Sequence, residues 1–221
     1  MLKPLLIALP KGRLEEDLLP ALRGTPFELD PQALRSRRLR IPMADPQLEA
    51  ILLKGADLPR YVAGGVAALG VVGSDILDEC PVDLLELADL DLGVCRLCLC
   101  APETVTLEAL KARPHLRIAT KFQAATGRWL LREGLTAELV PLQSSVELAP
   151  VLGLADAIVD LVQSGRTLRA HHLAERVTLS RASARLVACR GAYLSEPERV
   201  GGLARVLAEA LKPSTSLAKN W

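Results

Sequence analysis

The stretch from Glu147 to Leu168, ELAPVLGLADAIVDLVQSGRTL, constrains the fold more than any other. Its apolar run, Ala157-Ile158-Val159 followed by Leu161-Val162, is interrupted only by Asp160 and stops at Ser164-Gly165-Arg166-Thr167. That pattern reads as a strand of an α/β sheet feeding an anion-binding loop. Glycine lets backbone N–H groups converge on one anion, Ser164 and Thr167 add donors, and Arg166 adds charge. A following helix would contribute its positive end. The alternative is an ordinary strand-to-helix turn with Ser or Thr as N-cap, and the loop alone does not separate the two.

The chain has 221 residues, half of them apolar, enough for one large or two small domains with a real core. With 27 basic residues against 26 acidic, it carries no electrostatic footprint for nucleic acid, so its cations must act locally. No stretch approaches the roughly 20 apolar residues that a membrane helix needs. The opening MLKPLLIALPKGR has too short an apolar core for a secretory signal, which makes the cytoplasm the expected location. The five cysteines, Cys80, Cys95, Cys98, Cys100 and Cys189, form no disulfide framework. In a strand Cys98 and Cys100 share a face while Cys95 takes the other, and no histidine adjoins them, so small buried hydrophobes are expected rather than a metal site.

Leu5 to Leu9 predicts a strand that ends in Pro10-Lys11-Gly12-Arg13 and passes into a helix over LEEDLLPALR. Lys11 and Arg13, brought together by Gly12, either face an anion at the strand's carboxyl end or form a solvated basic turn. Arg35, Arg37, Arg38 and Arg40 crowd the next segment, and spacing alone does not choose which of them faces a ligand. Ala50 to Leu53 reads as a buried strand. Asp57-Leu58-Pro59 opens a helix with Asp57 as N-cap, ending at Gly64-Gly65. Ala68 to Val72 gives another strand, leading to Gly73-Ser74-Asp75, where glycine permits close approach of a ligand. Residues 75–92 predict a short helix and a solvated connection around Pro81.

Further strands are expected over Val94–Ala101, Leu116–Ala119 and Glu138–Leu142, and a helix from about Ala124 to Arg132 stopped by Gly134. Ser144-Ser145-Val146-Glu147 matches a capping box, with Ser144 as N-cap, which gives Glu147 a purely structural alternative. Two β-like stretches follow over Arg176–Leu194, then an amphipathic helix over Gly201–Leu211 and a loose tail from Pro213. His115 stands alone, and His171 and His172 would point apart in a strand, so neither a metal site nor a nucleophilic triad is supported. The segments Gly65–Gly73 and Gly153–Leu161 are alike enough to suggest two similar α/β lobes, each offering a glycine turn to a shared cleft.

Taken together, Ala8-Leu9-Pro10-Lys11-Gly12-Arg13-Leu14, Asp57-Leu58-Pro59-x-Tyr61-Val62, Leu69-Gly70-Val71-Val72-Gly73-Ser74-Asp75, Ile118-Ala119-Thr120-Lys121 and Glu147–Leu168 resemble the ATP phosphoribosyltransferase family in order and nearly throughout. The resemblance implies a fold of two α/β lobes around a cleft, like type II periplasmic binding proteins. The expected division is residues 1–93 plus 182–221 on the nucleotide side and 94–181 on the phosphoribosyl pyrophosphate side. It also implies transfer of a phosphoribosyl group from phosphoribosyl pyrophosphate to N1 of ATP, with substrate-bound Mg²⁺, as the first step of histidine biosynthesis.

On this resemblance Arg13 and Arg37 neutralise charge on ATP or the leaving pyrophosphate, with Arg35 and Arg38 competing for the second alignment. Lys11, Gly12, Gly73 and Asp75 line the nucleotide side. Ser164, Gly165, Arg166 and Thr167 hold the 5-phosphate. Glu147, Asp156 and Asp160 are the family's acidic positions near the ribose. Strand geometry separates Asp156 from Asp160 by roughly 13 Å and favours Asp160, nearer the loop. Two departures stand out, Ser144 where glycine is usual and His171-His172 where Asn-Gly is common. The length resembles the short form, which is implied to form a homodimer and to work with a histidyl-tRNA-synthetase-like regulatory subunit. A bilobal anion sensor without catalysis, or a phosphoribosyltransferase with another acceptor, remain the alternatives.

Overall fold

The computed structural model describes residues 3–212, so the expected loose tail from Pro213 lies outside the described residues. The chain divides into two compact units, one made of the segments up to Gly93 and from Ser183, the other of Val94–Ala182.

In the first unit a continuous apolar run builds β1 (Leu5–Pro10), after which Gly12, at φ 93°, turns the chain into α1 (Arg13–Leu22). Asp30 caps the short α2 (Pro31–Leu34) by accepting from the Gln32 N–H, and the arginine-rich turn leads to β2 (Ile41–Pro42) and β3 (Leu48–Leu53). Then come α3 (Leu58–Ala63), β4 (Leu69–Gly73), α4 (Ser74–Glu79) and β5 (Leu85–Asp89). Asp57 holds the N-cap position of α3, but its own helical backbone leaves its side chain without a capping bond. Residues 75–92 depart from expectation: the predicted solvated connection contains β5, a half-exposed edge strand whose mixed acidic and apolar residues disguised its alternation.

The second unit runs β6 (Cys95–Pro102), α5 (Leu107–Lys111), β7 (Arg117–Thr120), α6 (Gln123–Glu133), β8 (Glu138–Pro141), α7 (Leu148–Val151), β9 (Ala157–Val162), α8 (Arg166–Ala170) and β10 (Leu173–Ala182). The chain re-enters the first unit with β11 (Ala184–Ala188), α9 (Arg190–Ser195) and α10 (Pro197–Ala210). The β-like reading up to Leu194 thus ends at Ala188. His171 and His172 sit in the turn after α8, not in a strand, with His172 at φ 54°.

The first sheet has the order β2-β3-β1-β4-β11-β5, with β1 parallel to β3 and β4 and with β11 antiparallel to β4 and β5. The two sides of β1 pack differently. Ile7 and Leu9 enter a core with Leu18 of α1, Phe27, and Val200 and Leu207 of α10, while Ala8 meets Leu58 and Val62 of α3. Each large side chain buried there contributes about 1.5–3 kcal/mol.

The second sheet has the order β10-β6-β9-β7-β8, with β7 parallel to β8 and β9 and with β6 antiparallel to β9 and β10. Ala157 and Val159 of β9 face Leu110 of α5 and Trp129 of α6. Ile158 and Val162 face Ala149 of α7 and Leu168 of α8, together with Cys98 and Cys100. All five cysteines are buried and unpaired, as small hydrophobes. Among the described residues no helix is long and apolar enough to cross a membrane.

Candidate functional site

The three parallel strands of the second unit end at one edge of its sheet, where open α/β folds bind ligands. Three segments converge there: the turn after β7, the head of α7 and the loop from β9 to α8. In that loop Gly165, at φ 67°, is itself the N-cap of α8, with no side-chain capping bond. The alternative of a Ser or Thr N-cap is thereby removed. Among the described residues no hydrogen bond occupies the amide N–H of Ser164, Gly165, Arg166 or Thr167, and Ser164, Arg166 and Thr167 are exposed. The loop therefore presents converging free donors, two hydroxyls and a guanidinium, the composition of an anion cradle. Because α8 is only five residues long, its dipole adds little, and the backbone N–H groups carry the attraction.

Asp160 has the same strand parity as Ile158 and Val162 and so belongs to the face covered by α7 and α8. Its Oδ1 accepts from the Leu161 N–H at 2.8 Å and lies 3.8 Å from Lys121 Nζ. Burial pushes the Asp160 carboxyl above the usual range. The Lys121 ammonium pulls it down, and the Glu147 carboxylate pushes it up again. Glu147 is not the last member of a capping box: α7 begins at Leu148, four residues beyond Ser144, and the intervening Ser145 sits at φ 51°. The structural alternative for Glu147 fails because the helix starts later than the pattern suggests. The carboxylate is left near Asp160.

Asp156 is not brought to this edge. It precedes β9 and accepts from the Arg113 guanidinium at 2.7 Å and from the Arg117 N–H at 2.8 Å, so its carboxylate is engaged at the opposite end of the strand.

Beneath the loop, Glu175 of β10 accepts from Arg96 at 2.9 Å and from the Cys98 thiol at 3.4 Å. Burial pushes the Cys98 and Cys100 thiols up, which keeps them neutral and inert.

In the first unit the parallel strands β1, β3 and β4 likewise end together. The Lys11 N–H donates to the Leu53 carbonyl at 2.7 Å, and the Gly12 N–H donates to Glu15 Oε2 at 3.1 Å, so the basic turn is fixed against β3 and against its own helix. Lys11 and Arg13 are exposed at that edge. Gly73 has an ordinary φ of −67°, so it is needed for space rather than for conformation: an added Cβ would overlap the Asp75 carboxylate in the first turn of α4. Arg37 is exposed between α2 and β2, and the antiparallel register of Ile41 with Ala50 directs its segment toward the carboxyl end of β3. Arg40 is paired with Glu49, while Arg35, Arg37 and Arg38 remain equally exposed.

Two cations at these edges were given no role by the motif reading, Lys54 just after β3 and Lys121 just after β7, although Lys121 closes one of the matching segments. Their signal is a lysine one residue beyond a buried apolar strand, the same placement that singled out Lys11.

The ATP phosphoribosyltransferase (HisG) family model matches residues 54–209. The chain is 39% identical over 216 residues to the ATP phosphoribosyltransferase of Sorangium cellulosum, covering 98% of each chain. It is 39% identical over 203 residues to that of Gluconobacter oxydans, covering 90% of this chain and 84% of the relative. A solved ATP phosphoribosyl transferase (HisG:HisZ) complex from Thermotoga maritima superimposes with TM-score 0.79 at 30% identity, over 94% of this chain and 98% of that one. The periplasmic aliphatic sulphonate binding protein SsuA of Escherichia coli, at TM-score 0.61 and 16% identity over 96% of this chain and 73% of its own, shares the fold alone. Family model, near full-length relatives and solved structure agree: the chain belongs to the ATP phosphoribosyltransferase family.

Proposed function

We propose that this chain transfers the 5-phosphoribosyl group of phosphoribosyl pyrophosphate to N1 of the adenine ring of ATP, opening histidine biosynthesis in the cytoplasm. One observation carries the assignment of the sugar phosphate: the unoccupied N–H groups of Ser164–Thr167 lie one strand end away from a half-buried carboxylate, Asp160. A 5-phosphate in the loop leaves its ribose hydroxyls within reach of Asp160, with Glu147 beside it.

In the reaction N1 attacks C1′, the bond from C1′ to the pyrophosphate oxygen breaks, and its electron pair leaves with pyrophosphate. The adenine then sheds a proton from its exocyclic nitrogen. The transition state has oxocarbenium character, so it is favoured by rigidly held ribose and by cations on the departing group. Arg13 and Arg37 fill the second role, and Lys11, Gly12, Lys54, Gly73 and Asp75 form the nucleotide-binding edge of the first unit. Asp156 has a structural role at the start of β9. Mg²⁺ enters on phosphoribosyl pyrophosphate as part of that substrate and neutralises the leaving pyrophosphate.

The chain itself forms a homodimer in this reading, and its partner is a histidyl-tRNA-synthetase-like regulatory subunit; the Thermotoga maritima HisG:HisZ complex supports a second kind of subunit. Purified protein mixed with ATP, phosphoribosyl pyrophosphate and Mg²⁺ should produce the ultraviolet absorbance of an N1-substituted adenine, with or without that subunit. Absence of an adduct under both conditions rejects the proposal.

A further inference from the structure

Lys121 has no part in the reaction as described so far, yet it is the cation paired with Asp160. Thr120, fully buried at the end of β7, donates from Oγ1 to the Val159 carbonyl at 2.7 Å and accepts from the Phe122 N–H at 2.9 Å. This clamp fixes the turn in register with β9, where Thr120 pairs with Val159, so Lys121 falls level with Asp160. The lysine ammonium lies over the Phe122 ring, with Nζ 4.9 Å from the centroid, and the same Nζ is 3.8 Å from Asp160 Oδ1.

From this geometry we infer that Lys121 is a positioning residue, one that holds the Asp160 carboxylate ionised and aimed at the ribose hydroxyls. The inference rests on the proposed placement of the sugar phosphate at this edge. An ionised carboxylate accepts hydroxyl hydrogen bonds on both oxygens and holds them more strongly than the neutral acid, which turns one oxygen into a donor. Besides the Leu161 N–H, which donates to Oδ1 and favours the carboxylate, the groups facing Asp160 oppose ionisation or are neutral: Glu147 at the head of α7 adds like charge, and Cys98 and Cys100 of β6 are thiols. Lys121 is the group that offsets them. At 3.8 Å the ammonium is farther from the carboxylate than a direct hydrogen bond requires, which leaves acceptor capacity on Asp160 for the sugar.

The test compares equilibrium binding of ribose 5-phosphate, inorganic phosphate and inorganic pyrophosphate by the wild type, Lys121→Met, Lys121→Arg and Asp160→Asn, from pH 6 to pH 8.5. Methionine keeps a flexible side chain of similar length and removes the charge. Ribose 5-phosphate should bind Lys121→Met about tenfold more weakly at the acidic end of the range, and the loss should shrink as the pH rises and the carboxyl ionises without help. Inorganic phosphate should be unaffected, Lys121→Arg should restore most of the affinity, and Lys121→Met should add little in an Asp160→Asn background.

Two patterns across the ligands overturn the inference. One is unchanged ribose 5-phosphate binding with weakened pyrophosphate, which makes Lys121 a direct leaving-group contact. The other is equal loss for every ligand at every pH, which makes it a general loss of structure. Wild-type protein that binds no ribose 5-phosphate overturns the placement of the sugar at this edge as well. Wild-type binding with an indifferent Lys121→Met overturns the positioning role alone.

Discussion

Gly165 shows how one backbone angle can decide a site. Its φ of 67° is costly for any residue with a Cβ, by about 1–2 kcal/mol, and that cost falls on the loop whose N–H groups must converge. Gly165→Ala should weaken phosphoribosyl pyrophosphate binding by about tenfold while lowering the melting temperature by only a few degrees, which titration and thermal melts would measure; the added Cβ meets Arg169 Nη1, at 3.3 Å, the movable end of a long side chain, Glu175 Oε1, at 3.7 Å, and Val162 Cγ1, at 4.0 Å. Thr167→Ala removes one hydroxyl donor to a charged phosphate, a loss of roughly 1.5–3 kcal/mol, so the requirement for phosphoribosyl pyrophosphate should rise at least tenfold. An unchanged KM would reject the cradle. Arg13→Ala separates enzyme from sensor: steady-state kinetics should show kcat falling more than KM rises, whereas a sensor would lose binding alone. Asp160 adds a pH-dependent effect. Burial raises its folded pKa above the usual 3.8, so the group's contribution to stability is complete below that value and is lost as the pH rises through the raised folded pKa. Asp160→Asn removes this loss. Ligand-free Asp160→Asn should melt higher than wild type at neutral pH and no higher near pH 3, even as its turnover falls.

At the scale of elements, close packing between helix and sheet sets the tolerance of the scaffold. Gly70 of β4 lies under α3, where a Cβ would come within 2.8 Å of Val62 and 2.9 Å of Leu58. Gly70→Ala should therefore cost about 1–3 kcal/mol by overpacking, seen as a lower denaturation midpoint with an unchanged slope. The buried strands were legible in the sequence because both of their faces are apolar, as with Ile7–Leu9 and Ala157–Val159. The loop after β9 was legible as a turn, but its glycine, hydroxyls and cation suit an ordinary helix start as well as an anion cradle, and only the backbone at Gly165 separated the two. The strand β5 was hidden because an edge strand half in water carries acidic residues at Glu86 and Asp89, and these blur its period. The helix α7 began later than its pattern suggested because Ser145 adopts a left-handed backbone that no local propensity announces. Asp156 and Asp160 look equivalent in the motif. They were separated by strand geometry and then by the arginines at 113 and 117, a tertiary arrangement that spacing cannot reveal.

For the whole molecule, the division of labour between the units makes its own prediction. Hydrogen exchange with phosphoribosyl pyrophosphate bound should slow within residues 160–168 and around Lys121, while ATP should slow exchange near Lys11–Arg13 and Gly73–Asp75. The reverse pattern would exchange the assigned roles. The order of the first sheet has a further consequence for how the protein is made. Its fifth strand in space, β11, comes from beyond Ser183 yet lies between β4 and β5, which are synthesised before Val94. On the ribosome, the contiguous second unit can complete its sheet while β4 and β5 still flank a gap with unpaired N–H and C=O groups. Nascent chains should thus expose a strand-sized vacancy for as long as translation takes to travel from β5 to β11, the interval in which a chaperone or a neighbouring chain can occupy it.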